Sequence, residues 1–280
     1  TTDLVAAGVA PDIYIATSRE FIELVVEKNG WAMDMTDLIN QSDIDLSSLN
    51  QAAVELVRSR SDGGLYGVPL FIDERVMYYN KDIFDNFGVD YPTNGMTYDE
   101  IFEMLPNVMG NEGAFTYKGF AAHPDHYIYF NQLVLLPFEP TGSEEPTLEQ
   151  MRDSVNVTSD DWLRLVENMY RFMMLPGNEF DTTDDFFRIG NYALAIDSVN
   201  KLPLYTLAEG YLEEEDIPIY AEWAEKVSNI GAVSVPVLSE EDNATYQPNV
   251  LSMHLTKQSD KKEQAMEVIE WLVSEEAQLQ

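Results

Sequence analysis

Residues 66–88 read YGVPLFIDERVMYYNKDIFDNFG, and the fold turns on this stretch. Two apolar strand pieces are broken at a polar point, Asp73-Glu74-Arg75. A short helix follows, opened by Asn80 and closed by Gly88. Charged groups are costly inside a single core. A strand that leaves one compact body and enters another places them in a wet cleft, where a ligand can sit.

Composition narrows the classes. At 280 residues the chain is near the size at which one core stops growing and a polypeptide divides in two. Hydrophobic residues make up 45%, too many for disorder. No apolar run approaches the ~20 residues of a membrane span. The first residues, TTDLVAAGVAPD, carry neither a basic segment nor a secretory apolar core. Sixteen basic residues against fifty acidic ones give a net charge of −34. Nucleic acid and anionic membrane surfaces would be repelled, and such acidity keeps a secreted or halotolerant protein soluble. Without cysteine there is no disulfide, thiolate catalysis or Cys-based zinc site within this span.

Strands and helices alternate. Pro11–Ala16 reads as a short buried strand, and Thr17 with Glu20 forms a capping box for the next helix. A second helix covers roughly Leu49–Ser59. Thr97 and Glu100 make another capping box, and Pro106 ends or kinks that helix. A longer helix opens at Thr158–Asp161 with Leu163, Val166, Met169, Tyr170 and Met173 on its apolar side. Tyr192–Ile196, Ile230–Val237 and Val250–Leu255 read as strands. Glu263–Val273 reads as a helix burying Ala265, Val268, Ile269 and Leu272. Alternation of this kind predicts a largely parallel sheet flanked by helices.

Four segments carry a family resemblance, in order. GVAPDIYIA…FIEL is similar to the A-P-D-hydrophobic strand and helix of extracellular solute-binding proteins of ABC importers, the sugar-type class. YGVPLFIDERVMYYNKDIF with TYDEI resembles their Y-G-V-P…Y-Y-N-K-D…T-W-D-E run. NYALAIDS with GAVSVPVL resembles two further strands, and VLSMHLTKQSDKKEQAMEVIEWLVSEEAQ the return strand and helix. The wording of NKDIFDNFGVDYPTNGMTYDE and GFAAHPDHYIYFNQL is most like lipoprotein members from Gram-positive bacteria.

The resemblance implies an α/β, two-lobed periplasmic-binding-protein-like fold. Each lobe would be a mainly parallel sheet flanked by helices, with the ligand cleft between. It assigns 1–73 plus 254–280 to one lobe and 76–250 to the other, with crossings near 73–76 and 250–254. It also implies a further strand and helix before residue 1, more helices after residue 280, and a secretion signal with a lipid-anchored cysteine outside this span. The expected partners are a small polar solute, carbohydrate above all, and the membrane permease. The protein is expected to be a monomer at the outer face of the membrane, held by its lipid alone, with no cofactor or metal.

Candidate ligand residues follow from crossings and strand-to-helix turns. Ser18 and Arg19 sit after the first strand, as ligand contacts or as simple helix caps. Asp73 and Glu74 either present carboxylates to hydroxyls or pair with Arg75. His126, Tyr127 and Asn131 form another candidate wall, with Tyr127 placed as a stacking aromatic of the sugar binders. Asp197, Ser198 and Asn200 follow a strand, and Asn249 precedes the returning one. Ala16 and Asn200 stand where sugar binders can carry tryptophan platforms. Two other classes remain open at this point: a secreted glycosidase with two carboxylates, and a surface sensor or interaction protein on the same fold.

Overall fold

The computed structural model describes residues 10–17, 30–58, 64–113, 115–121, 159–175, 186, 189–199, 201, 228–241 and 248–278. The chain divides into two compact units, Thr1–Asp73 with Pro248–Gln280, and Glu74–Gln247.

The first unit contains β1 (Ile13–Thr17), α1 (Thr36–Gln41), α2 (Gln51–Arg58), β2 (Val68–Asp73), β8 (Asn249–Leu255), α6 (Lys262–Leu272) and α7 (Glu275–Gln278). Its sheet has the order β1-β8-β2. Both pairings are antiparallel, with Ile13 opposite Leu255 and Asp73 opposite Asn249. Val68, Val250, Met253 and Leu255 pack under Ile39, Leu56 and Val57 of the first two helices and Ala265, Met266 and Ile269 of α6. Tyr14 and Ala16 form a second cluster with Trp31. The start of α2 is set by Asn50, whose side chain accepts from the Ala53 amide at 3.1 Å.

The second unit contains β3 (Arg75–Asn80), α3 (Lys81–Phe87), α4 (Tyr98–Met104), β4 (Gly110–Glu112), β5 (Phe115–Ala121), α5 (Asp160–Met173), β6 (Tyr192–Ser198) and β7 (Ile230–Val233). Its sheet runs β4-β5-β6-β3-β7. The central strand β6 is buried from Tyr192 to Asp197, so its sequence is a continuous apolar run rather than an alternating one. Asn80 caps α3 by accepting from the Asp82 amide, and Gly88 ends it in the left-handed region at φ 66°. Thr97 and Glu100 form the expected capping box on α4. Pro106 falls in the single 3-10 turn, Leu105–Asn107, that follows.

Four expectations are corrected. Among the described residues only β5 and β6 pair in parallel within the two sheets; the other strand pairs are antiparallel. For β2 and β8, connectivity is the cause. The strand that leaves the first unit lies beside the one that returns to it, so the two run in opposite senses.

Helix α5 buries Leu165, Asn168 and Phe172, and leaves Leu163, Val166 and Tyr170 exposed. Its cap is Ser159, one residue after Thr158. The helix is apolar on two sides, and Phe172, which joins Phe102, Tyr98 and Phe120 in ring contacts, decides which side turns inward. In α6, Val268 is exposed and Met266 is buried instead. The β4–β5 hairpin, turned at Gly113, was not anticipated.

His254 of β8 is 3% exposed, and its Nδ1 lies 2.7 Å from the Tyr66 carbonyl. A carbonyl only accepts, so Nδ1 carries a proton, and burial keeps the ring neutral near pH 7. Burial lowers its pKa to about 4. Gly67 makes room for it, because a Cβ there would meet the imidazole at 2.5 Å.

Truncation tests the facing of α5. Leu165→Ala is expected to cost about 3 kcal/mol in urea unfolding, and Leu163→Ser less than about 0.5 kcal/mol. The His254 ring gives a pH signature. Below pH ~6.5 the unfolded chain binds a proton that the folded chain refuses until about pH 4, so stability falls as pH falls through that window. The loss is about 1.4 kcal/mol per pH unit. Chemical denaturation at pH 7 and pH 4.5 is expected to show a drop about 2 kcal/mol smaller in His254→Gln than in the wild type.

Candidate functional site

The candidate residues nearest the unit boundary fall on two pairs of neighbouring strands. At the end of the first unit's sheet, half-buried Asp73 stands opposite half-buried Asn249 in the β2–β8 register. Glu74, exposed, is the first residue of the second unit. Arg75 then opens β3 opposite Ser198, and Val76 lies opposite Asp197.

Asp197 is 7% exposed. Its Oδ1 accepts from Arg75 Nη1 at 3.1 Å and from the Ser198 amide at 2.7 Å, while Lys201 Nζ lies 4.0 Å from Oδ2. Thus the carboxylate that closes β6 meets two cations. The reading that pairs Arg75 with Asp73 or Glu74 gives way to a pair with Asp197, because antiparallel pairing brings the end of β6 beside the start of β3. The turn after β6 is fastened too. The Tyr78 hydroxyl donates to the carbonyls of Ser198 and Val199, at 2.8 and 3.1 Å, and the Val199 amide donates to the Glu74 carbonyl at 2.8 Å.

Asp73 and Asn249 are therefore brought together in one unit, and Asp197 and Ser198 join Arg75 in the other. Ser18, Arg19, His126, Tyr127, Asn131 and Asn200 lie outside the described residues. Sequence reasoning missed Tyr78 and Lys201. Each left a signal: a tyrosine in an apolar strand needs a partner for its hydroxyl, and Lys201 stands four residues after Asp197.

Among the described residues, a cavity opens within each unit. One of about 580 Å³ in the first unit is lined by Asn50, Pro69, Phe71, Ile72 and Val273 among others. One of about 410 Å³ in the second is lined by Pro106, Met109, Tyr117 and Leu175. Neither is lined by a described residue expected to bind solute. Among the described residues, no three acidic or histidine side chains are grouped to hold a metal ion, and no helix is long and apolar enough to cross a membrane.

A family described as bacterial extracellular solute-binding protein matches this sequence over residues 1–280. The chain belongs to that family. A Brucella abortus (strain 2308) protein named as a binding protein is 30% identical to this solute-binding protein over 135 residues, 46% of this chain and 30% of that one. The ABC substrate-binding protein of Listeria monocytogenes, solved with cycloalternan, superposes with a TM-score of 0.65 at 17% identity. That match covers 98% of this chain and 64% of the other. The ABC transporter solute-binding protein of Thermotoga lettingae, solved with α-D-tagatose, gives a TM-score of 0.68 at 17% identity over 99% of this chain and 66% of that one. These likenesses establish the two-lobed α/β fold. The solute-binding protein spans about two thirds of the length of these solved relatives and matches under a third of the curated one.

The two-cation environment of Asp197 has a measurable weight. Asp197→Ala leaves Arg75, whose side chain is only 25% exposed, without this carboxylate. It is expected to cost about 2 kcal/mol in chemical denaturation. Asp99→Ala, which breaks a pair whose carboxylate is 70% exposed, is expected to change little.

Proposed function

We propose that the protein captures a small polar solute outside the cell, a sugar, oligosaccharide or polyol, and delivers it unaltered to the permease of an ABC importer. The match to the extracellular solute-binding family over residues 1–280 carries this reading. Cycloalternan and α-D-tagatose, bound by the two solved relatives, are both rich in hydroxyl groups. The candidate contacts here have the right chemistry for such molecules. Carboxylates and amides accept and donate to several hydroxyls at once, and charge assistance strengthens each bond.

The mechanism is a shift of population. A ligand favours a closed arrangement only through contacts it makes there and lacks in the open one. On this reading Asp73 and Asn249 supply contacts from one unit, and Glu74, Asp197 and Ser198 from the other. Ser18, Arg19, His126, Tyr127, Asn131 and Asn200 complete the proposed set. The units Thr1–Asp73 with Pro248–Gln280 and Glu74–Gln247 act as the lobes, with the return at 247–248 rather than 250–254, and a lipid anchor outside the span keeps the monomer at the membrane.

A thermal-shift screen of sugars, oligosaccharides, polyols and short peptides tests the reading. A solute present at a hundred times its Kd stabilises the folded chain by about 2.7 kcal/mol. At least one sugar or polyol is expected to raise Tm by several degrees and to reduce the radius of gyration in solution scattering. A screen in which no sugar or polyol moves either quantity sinks carbohydrate capture; a shift by peptides alone reassigns the solute.

A further inference from the structure

Glu74, just before β3, and Arg75 and Tyr78 of β3 hold the end of β6. Tyr78 is 2% exposed, and its single hydroxyl proton is shared between the carbonyls of Ser198 at 2.8 Å and Val199 at 3.1 Å. The Val199 amide donates to the carbonyl of Glu74 at 2.8 Å. Arg75 Nη1 donates to Asp197 Oδ1 at 3.1 Å, and the Ser198 amide donates to that same oxygen at 2.7 Å. Residues 197–199 are thereby fixed through carboxylate, amide and carbonyl at once.

Phenylalanine would fill the Tyr78 site equally well. What tyrosine adds is a donor for two carbonyls just where β6 stops and ladder pairing ends. Two of the fastening residues, Glu74 and Arg75, are also the first of the second unit, since the chain passes from one unit to the other between Asp73 and Glu74. The turn is thus tied to the point at which the chain comes in.

We infer that Tyr78 and Arg75 are positioning residues for solute recognition. They hold the 197–199 backbone so that Asp197 and Ser198 meet hydroxyl groups in one geometry, and so that the turn moves with the incoming strand. This rests on the reading above that Asp197 and Ser198 contact the solute. Its physical basis is preorganisation. A turn already ordered loses little freedom on binding, and polyols that differ by one hydroxyl are told apart only by groups held in place.

Two measurements on the full chain test it. The first needs no solute. In Tyr78→Phe, hydrogen exchange at the Val199 amide is expected to accelerate at least about tenfold, while amides paired between β3 and β6 keep their protection. The second is titration calorimetry with maltose, D-mannitol, ribitol and α-D-tagatose. The variant is expected to bind the best of these about tenfold more weakly and to discriminate less between D-mannitol and ribitol. Arg75→Lys, which keeps the charge and loses the fork, is expected to move both quantities in the same direction. It carries the test should Tyr78→Phe fold poorly.

Unchanged exchange at Val199 overturns the inference. So does an equal loss of affinity for every probe that merely tracks a lower Tm. If the wild type binds a probe and Tyr78→Phe binds it equally well, positioning alone falls. If the wild type binds none of the four and no sugar or polyol in the thermal-shift screen, the carbohydrate reading falls and takes the positioning role with it.

Discussion

The strand that leaves the first unit is hydrogen-bonded to the strand that comes back. Val68–Asp73 goes out and Asn249–Leu255 returns, and the returning strand sits in the middle of its sheet with β1 on the other side. Everything between, residues 74–247, is a second unit inserted between two adjacent strands. An insertion of that kind is tolerated because the two ends are already neighbours, so loop closure costs little beyond what the sheet fixes. The first unit's core depends on that pairing, since Val68, Val250, Met253 and Leu255 all come from the two strands.

Electrostatics at the start of the second unit follow from the same arrangement. Antiparallel pairing of β3 with β6 sets Arg75 beside Asp197, and a buried carboxylate without a cation would be strongly unfavourable. Such a pair adds little net stability compared with apolar packing, because both partners lose water. Its effect is geometric: it fixes which side chains stand at the end of β6.

Much of the fold was readable where local chemistry is decisive. Asn80 and Gly88 bound a helix, Thr97 and Glu100 cap one, and Pro106 stops it. The apolar run at 192–196 is a buried central strand. Local signals failed where tertiary choice decides. Helix α5 offers Leu163–Val166–Tyr170 on one side and Leu165–Phe172 on another, and no spacing rule picks between them. Strand direction was likewise misjudged, since alternation of elements does not say that leaving and returning strands will pair. The candidate site was readable only in part. Asp73, Asp197, Ser198 and Asn249 are terminal parts of strands, whereas the sequence reading set Asp197 and Ser198 just after a strand and Asn249 just before one. Their fastening through Tyr78 and Arg75 is a cross-strand relation that a linear pattern does not contain.

The outward side of α5 bears on how the molecules behave in company. Leu163, Val166, Tyr170 and Met174 are each about half exposed or more, in a row along three turns. A greasy seam of that length draws like surfaces together. What opposes this is the charge of −34 that every copy carries. Repulsion between copies reaches about 30 Å in very dilute salt and only about 3 Å at 1 M. Ionic strength therefore sets the distance over which this charge opposes contact between copies.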